Sequence, residues 1–303
     1  MEALERYRDL VDDPTAFLAA CRRPLPRTVR VNTIKATPER ARAVLEAEGV
    51  GIEPIPWDPT LFEIDVESPG NTWAAFHGYV TGQEVASTLP PRLLDPEPGS
   101  SIWDACAAPG SKTTQLAAQM DDRGTLVATD RNLGRLSALR FNAERLGVTC
   151  VAVDRADARH YAPAVLEGER FDATLVDAPC SGEGMVRKNP GALEDWSRER
   201  VRSLAELQRG ILERAVELTR PGGRVVYSTC TFAPEENEAV VDAVRSSHPC
   251  RVVASELPLE TDPGLTGWRD RSFDPALERA IRIYPHRNDT GGFFLAELEV
   301  LAS

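Results

Sequence analysis

Two of the six cysteines stand where a nucleophile could act. Cys180 lies in the string DAPCSGEG and Cys230 in YSTCTFAPEENEAVV, each just after an apolar run that predicts a buried strand. A thiol at the carboxyl end of a strand, beside a loop, is placed for attack once a nearby positive charge or a helix N-terminus favours its thiolate. Inert packing is the usual role of a free cysteine, and we predict it for Cys150 inside a strand.

Three carboxylates mark the ends of successive predicted strands: Asp130, Asp157 and Asp177. Asp130 follows Gly110 by 130 − 110 = 20 residues, the spacing at which an acid accepts hydrogen bonds from ribose hydroxyls. Alone, Asp130 could equally cap the following helix. Three acids at one sheet edge disfavour a pyrophosphate and favour a cofactor with a ribose, an amine and a cationic centre, namely S-adenosylmethionine.

The string DACAAPGSKT, residues 104 to 113, predicts a tight turn from the first large-sheet strand into its helix. Small residues let the backbone approach a ligand, and a helix N-terminus favours oxygen-rich groups. The turn is not a P-loop, because Ser111 separates Gly110 from Lys112, and a single glycine makes a poor dinucleotide fingerprint. A general nucleotide-type turn is the alternative.

Strands that alternate with helices position these residues and predict an α/β fold with a largely parallel sheet. The predicted strands are 101–106, 125–130, 148–154, 171–177, 224–228, 251–257 and 292–300, and the predicted helices are 112–120, 133–146, 198–218 and 235–246. Prolines break residues 1 to about 70 into short elements, with strands at 28–34 and 61–66 and a helix at 38–48. We therefore predict a small N-terminal α/β domain over residues 1–72 and a catalytic domain over residues 73–303.

Composition limits the possible functions. Acids outnumber bases by 47 to 35, giving a net charge of −12, and only three of the 35 bases are lysines. An acidic surface nearly without lysine favours adaptation to high salt, where screening allows even an acidic protein to bind nucleic acid. No CxxC pair or His–Cys cluster predicts a metal site, and no apolar stretch predicts a membrane span or a signal peptide. We expect a cytosolic protein with free thiols.

The strings DACAAPGSK, DAPCSGEG and YSTCTFAPEENEAVV resemble the cofactor loop, the Pro-Cys motif and the Thr-Cys motif of the NOP/Sun (RsmB/NOP/Sun) family of RNA cytosine-5 methyltransferases. The resemblance extends to residues 30–35, 82–87, 282–286 and 291–294, and so to nearly the whole chain. Ser111 departs from the pattern, since the family usually has a second glycine there. The resemblance implies a Rossmann-like methyltransferase sheet.

The resemblance also implies roles for individual residues. Cys230 would attack cytosine C6, Cys180 would assist product release, Asp177 would bind the cytosine edge and Lys112 would approach the same base. The cofactor S-adenosyl-L-methionine would be held by Cys106, Ala107, Ala108, Pro109, Gly110, Ser111, Lys112, Asp130, Arg135, Asp157 and Asp177. An exposed position is the alternative for Lys112, and a solvated helix face is the alternative for Arg135.

Basic residues concentrate near the N-terminus, where residues 22–42 carry seven bases against the single acid Glu39. Within an acidic chain this segment favours RNA binding over a salt-bridged surface. The predicted RNA contacts are Arg27, Arg30, Lys35, Arg187 and Lys188. His77 and His286 are predicted to be structural.

The sequence thus predicts a monomeric RNA cytosine-5 methyltransferase that acts on tRNA, with rRNA as the second choice. Two alternatives stay open: an RNA-binding assembly factor that keeps the fold without catalysis, and a DNA methyltransferase. The paired cysteines disfavour the first, because a protein without catalytic activity has no need of them.

Overall fold

A computed structural model describes residues 2–163 and 169–302. The helices of this part of the chain are α1 (Glu2–Glu5), α2 (Pro14–Ala20), α3 (Pro38–Ala47), α4 (Trp73–Phe76), α5 (Leu89–Leu94), α6 (Ser111–Gln119), α7 (Leu133–Leu146), α8 (Arg198–Leu218), α9 (Glu238–Ser247) and α10 (Pro285–Asn288). Short 3₁₀ turns follow several strands, among them Ala158–His160 and Glu183–Met185.

A small antiparallel sheet comprises β1 (Thr28–Val31), β2 (Ile52–Pro54), β3 (Leu61–Ile64) and β4 (Val80–Gly82), in the order β2-β3-β1-β4. Its apolar side packs on α3, which Thr37 caps, and buries Val29, Leu45 and Phe62. The predicted strands at 28–34 and 61–66 and the helix at 38–48 are confirmed with slightly shorter bounds.

A large sheet carries the second core. Its strands are β5 (Ser101–Asp104), β6 (Thr125–Asp130), β7 (Val151–Arg155), β8 (Phe171–Asp177), β9 (Thr219–Thr229), β10 (Cys250–Val252), β11 (Asp262–Pro263), β14 (Ile281–Ile283) and β15 (Phe293–Val300); β12 (Gly267–Trp268) and β13 (Arg271–Ser272) form a separate hairpin. The order is β11-β14-β15-β9-β8-β5-β6-β7, with β10 beside β15.

Strands β5 to β9 run parallel, and β15 inserts antiparallel against β9. Helices α8 and α9 cover one face, and α5 and α6 cover the other. The predicted α/β fold with a largely parallel sheet covered on both faces is confirmed. The ends of β5, β6, β7, β8 and β9 share one edge, as parallel strands require.

The first residues pack against the large sheet's loops and not against the small sheet. Leu4, Tyr7 and Phe17 lie in one cluster with Phe232 and Tyr284. The division at residue 72 stays a prediction, although the small sheet takes in β4, beyond that boundary, because Val31 pairs with Val80.

Several predicted bounds differ from the structure. Strand β7 begins at Val151 and not at residue 148, so Cys150 precedes the strand in which it was predicted, and β9 begins at Thr219 and not at residue 224. The strand predicted over 251–257 covers only Cys250–Val252. The helix predicted from Glu235 begins at Glu238, because Asn237 donates from its side chain to the Thr231 carbonyl and accepts from Thr229. These bonds hold residues 235–237 as a turn against the Cys230 loop.

Candidate active site

Cys180 and Cys230 meet at the carboxyl edge of the large sheet. Asp177, the last residue of β8, pairs in register with Ser228 of β9, so the loops that leave the two strands start side by side. The Cys180 and Cys230 sulfurs are 3.2 Å apart, both residues are half-buried, and both are free thiols. The two cysteines, each predicted at the carboxyl end of its own strand, thus lie side by side.

Lys112 and Asp177 form an ion pair beside the sulfurs. Lys112 stands in the first turn of α6, and its Nζ lies 2.7 Å from Asp177 Oδ2. The other carboxylate oxygen of Asp177 accepts a hydrogen bond from Ser228 Oγ at 2.9 Å. The Lys112 side chain is only 11% exposed and its ammonium lies 5.4 Å from the Phe293 ring centre. The alternative of an exposed first-turn lysine is therefore wrong.

The surroundings favour a charged Lys112 and a protonated Cys180. Burial alone would lower the pKa of Lys112, but attraction to Asp177, and then to Cys230, raises it, so the side chain stays an ammonium. The hydrogen bond to Cys230 and burial raise the pKa of Cys180 well above its ordinary value. Cys180 therefore keeps its S–H, which lies in hydrogen-bonding contact with the Cys230 sulfur.

A cavity of about 730 Å³ opens next to the sulfurs. Seven of the residues predicted for the site line it: Cys106, Asp130, Arg135, Asp157, Asp177, Cys180 and Cys230. The apolar wall includes Leu207 and Ile211, one turn apart on α8, together with Ala158 and Pro179. Sequence reasoning missed this wall, since its spacing also suits a helix face that packs in the core.

Arginines hold two of the cavity's carboxylates. Arg135 pairs with Asp130 Oδ2 at 2.8 Å and also donates to the Ala108 carbonyl. Arg159 binds both oxygens of Asp157 and, mainly through those hydrogen bonds, lowers the pKa of Asp157 to about 2. Arg135 thus ties the end of β6 to the turn after β5, which is more than a solvated helix residue does.

The turn itself contributes little to the cavity wall. Ala107, Ala108 and Gly110 are buried, Ser111 is half-buried and Pro109 is exposed, and these five do not line the cavity. Gly110 adopts a positive φ of 104°, which favours glycine at this position. Asp104, which sequence reasoning passed over, is buried at the end of β5 with its Oδ1 unpartnered, and burial raises its pKa to about 7.

The predicted RNA contacts divide into two groups. Arg27, Lys35 and Lys188 are exposed. Arg30 and Arg187 are buried, so their prediction as RNA contacts is wrong: the Arg30 guanidinium binds Gln83 and Thr114, and that of Arg187 binds the Pro24 and Thr290 carbonyls. Both join separate segments of the chain.

Residues 2–163 and 169–302 contain no cluster of three or more histidine, cysteine or acidic side chains that could hold a metal ion. Within the same ranges no helix has the length and apolarity to cross a membrane.

Comparisons with known proteins agree with this geometry. Residues 91–299 match the family model described as 16S rRNA methyltransferase RsmB/F. A tRNA (cytosine(49)-C(5))-methyltransferase from Pyrococcus abyssi is 37% identical over 97% of this chain and 94% of its own length. A ribosomal RNA small subunit methyltransferase F from Shewanella amazonensis is 38% identical over 95% of this chain, which spans only 61% of that relative. A solved methyltransferase homologue from Pyrococcus horikoshii is 30% identical, with a TM-score of 0.83 over 99% of each chain.

Proposed function

The chain belongs to the 16S rRNA methyltransferase RsmB/F family, and from that premise we propose that it methylates carbon 5 of a cytosine in RNA, with S-adenosylmethionine as the methyl donor. The observation that carries the proposal is the pair of sulfurs 3.2 Å apart at the edge of a cavity lined by Asp130, Asp157 and Asp177. A second cysteine in contact with the first serves no purpose in simple packing.

The cavity's residues fit S-adenosylmethionine. Asp130 at the end of β6 suits the ribose hydroxyls, and Leu207 and Ile211 suit the flat face of an adenine. Asp177, which lines the cavity beside the sulfurs, places a carboxylate on the side where a cationic group would sit. When bound, the cofactor supplies an electrophilic methyl group.

Cys230 is the proposed nucleophile. The Lys112 ammonium and the Cys180 S–H favour its thiolate, which attacks C6 of an unstacked cytosine. The new S–C6 bond saturates the 5,6 double bond and places electron density on C5, which then accepts the methyl group. Solvent water takes the C5 proton, the electron pair of that C–H bond re-forms the 5,6 double bond, and the Cys230 thiolate leaves C6, which frees the enzyme.

Asp177, Lys112 and Cys180 assist these steps. Asp177 accepts a hydrogen bond from the N4 amino group on the cytosine edge, and Lys112 orients that carboxylate through their ion pair. Cys180, which stays protonated, assists release of the product from Cys230. Cys106 lines the proposed cofactor site, and Arg135 holds the turn that follows it through the Ala108 carbonyl.

We propose tRNA as the substrate. The Pyrococcus abyssi relative whose name specifies tRNA matches this chain over 94% of its length, whereas the rRNA-named Shewanella relative has a further two fifths of its length outside the match. Exposed Arg27, Lys35 and Lys188 are the proposed phosphate contacts. The proposed enzyme acts as a monomer in the cytosol and uses no metal.

The direct test is to incubate the enzyme and labelled S-adenosylmethionine with tRNA, rRNA and a DNA of matched sequence. Label is expected in tRNA as 5-methylcytosine and is expected to be lost with Cys230→Ser, while RNA binding persists. Label in DNA, or unchanged labelling by the Cys230→Ser variant, would contradict the proposal. RNA binding with no methyl transfer from any RNA would favour a non-catalytic assembly factor.

A further inference from the structure

The residues that follow the two cysteines meet in a closed polar cluster beneath the sulfurs. Ser181 Oγ and Thr231 Oγ1 are 3.0 Å apart, and both hydroxyls also contact the carboxylate of Glu183. Ser181 Oγ further contacts Glu236 Oε1. Glu183 and Glu236 are both 0% exposed, so the cluster contains two carboxyl groups shielded from water.

No positive charge balances these two acids. Glu235 pairs with Arg6 and Glu238 pairs with Arg282, one and two residues from Glu236 along the chain. Within the described residues, no lysine, arginine or histidine forms an ion pair with Glu183 or Glu236. Two unpaired carboxylates so close together and so deeply buried cannot both be charged at moderate cost.

Glu183 has the partners of a charged carboxylate. Tyr7 OH and Trp196 Nε1 each donate to Oε1 at 2.6 Å, and Ser181 Oγ and Thr231 Oγ1 donate to Oε2. Four donors satisfy an ionised carboxylate without help from a cation. The negative charge of the cluster therefore belongs on Glu183.

Glu236 has the partners of a neutral acid. Its Oε2 accepts from the Ser181 amide at 3.0 Å and from Gln208 Nε2 at 2.7 Å. Its Oε1 meets only Ser181 Oγ, whose single proton cannot serve both Glu183 and Glu236. A second proton is needed between Oε1 and the serine, and only the carboxyl group of Glu236 can supply it.

We propose that Glu236 is a neutral carboxylic acid in the competent enzyme and is the positioning residue that fixes Cys180 against Cys230, an inference that rests on the proposed function. Glu236 binds the amide and the hydroxyl of Ser181, while Gln208 bridges Glu236 and the Pro179 carbonyl at 2.8 Å. The residues on both sides of Cys180 are thereby anchored to one acid. Ionised Glu236 would repel Glu183 and lose its bond to the serine hydroxyl.

The surroundings support the neutral form. Burial, and then the charge of Glu183, raise the pKa of Glu236 to about 7. The other titratable groups that face the cluster are Cys180 on the same loop, Tyr227 on β9 and Tyr7, with the Arg6–Glu235 pair beyond it. Deprotonation of Glu236 at alkaline pH would release the Cys180 loop.

Methyl transfer by the wild-type enzyme, Glu236→Gln and Glu236→Ala, measured from pH 6 to pH 9, tests the proposal. A glutamine keeps the acceptor for the Ser181 amide and a donor for its hydroxyl, so we expect Gln to recover most of the activity that Ala loses. The ratio of the Gln variant to wild type is expected to rise with pH, by up to about tenfold one unit above the pKa of Glu236. A constant ratio, or a Gln variant as inactive as the Ala variant, would overturn the proposal.

Glu183→Gln is the matched control, because it makes the same change of atoms at the carboxylate that we assign as charged. The hydroxyl and indole groups that donate to Glu183 would then meet the NH2 group of the new amide, which also donates. Because these donors lose their acceptor, activity is expected to fall at every pH.

Infrared difference spectra test the protonation state without any need for turnover. At pH 6 the wild-type protein is expected to show a carbonyl stretch of a buried protonated carboxyl group that Glu236→Gln lacks, while the contribution of Asp104 is the same in both proteins. Identical spectra would overturn the assignment even if the protein methylates RNA, whereas absence of methylation with the band present would refute the proposed function alone.

Discussion

Two cations with little exposure to solvent meet at helix α6, and their surroundings differ: Lys112 belongs to the helix, and Arg30 contacts it from the small sheet. Arg30 of the small sheet binds neutral partners, Gln83 Oε1 at 2.7 Å and Thr114 Oγ1 at 3.2 Å, and burial lowers its pKa to about 10. Lys112 of the large-sheet site faces a carboxylate, and the Asp177 charge raises its pKa despite burial. The first cation joins two parts of the fold, and the second is paired so that it can serve chemistry.

Lys112→Met is expected to cause the largest change. Without the Lys112 ammonium, Asp177 loses its ion-pair partner and Cys230 loses a positive charge that attracts its thiolate, so kcat/KM should fall by about 100- to 1,000-fold. Steady-state kinetics on an RNA substrate measure this effect. Lys112→Arg keeps the charge in a bulkier planar group, so its kcat/KM should lie between that of the wild type and that of the Met variant. If the Met variant has the same kcat/KM as the wild type, Lys112 takes no part in the reaction.

Arg30→Met should affect folding and not chemistry. The variant leaves Gln83 and Thr114 without a buried donor, so the free energy of unfolding should drop by about 2–3 kcal/mol. Denaturant unfolding measures the drop, and kcat of the folded variant should stay close to that of the wild type. A large loss of RNA affinity with unchanged stability would instead restore Arg30 as an RNA contact.

Arg27→Glu should have the smallest effect. Arg27 is exposed on the small-sheet side, and reversing one phosphate contact should weaken RNA binding by only a few-fold and reduce its salt dependence. Filter binding at several salt concentrations measures this change, and the affinity for S-adenosylmethionine is the internal control. Equal RNA affinity at low salt would exclude Arg27 from the interface.

The ends of strands can be predicted from the sequence, and the candidate reactive residues follow those ends. Apolar runs before Asp177 and before Ser228 predict the strands β8 and β9. Because these strands pair in parallel, the residues that follow them, Cys180 and Cys230, come together. The same reasoning missed β4, since three residues, Val80–Gly82, carry too little periodicity to predict a strand.

Local charge patterns gave wrong predictions for arginines whose side chains are buried in the fold. Arg30 and Arg187 were predicted as RNA contacts from local basic composition, yet their partners, among them Gln83 and Thr290, are distant in sequence. Glu236 is one of three glutamates in the string EENE, and nothing in that string tells which of them has an arginine partner and which does not. Such assignments depend on tertiary contacts.

The most direct test of the account is to identify the sulfur that bonds to the RNA. Cys180→Ala, incubated with RNA and S-adenosylmethionine and run on a denaturing gel, is expected to show a slowly migrating covalent protein–RNA band, because attack survives while release fails. That band should vanish in Cys180→Ala combined with Cys230→Ala. Persistence of the band in the double variant, or a band in Cys230→Ala alone, would contradict the assignment of Cys230 as the nucleophile.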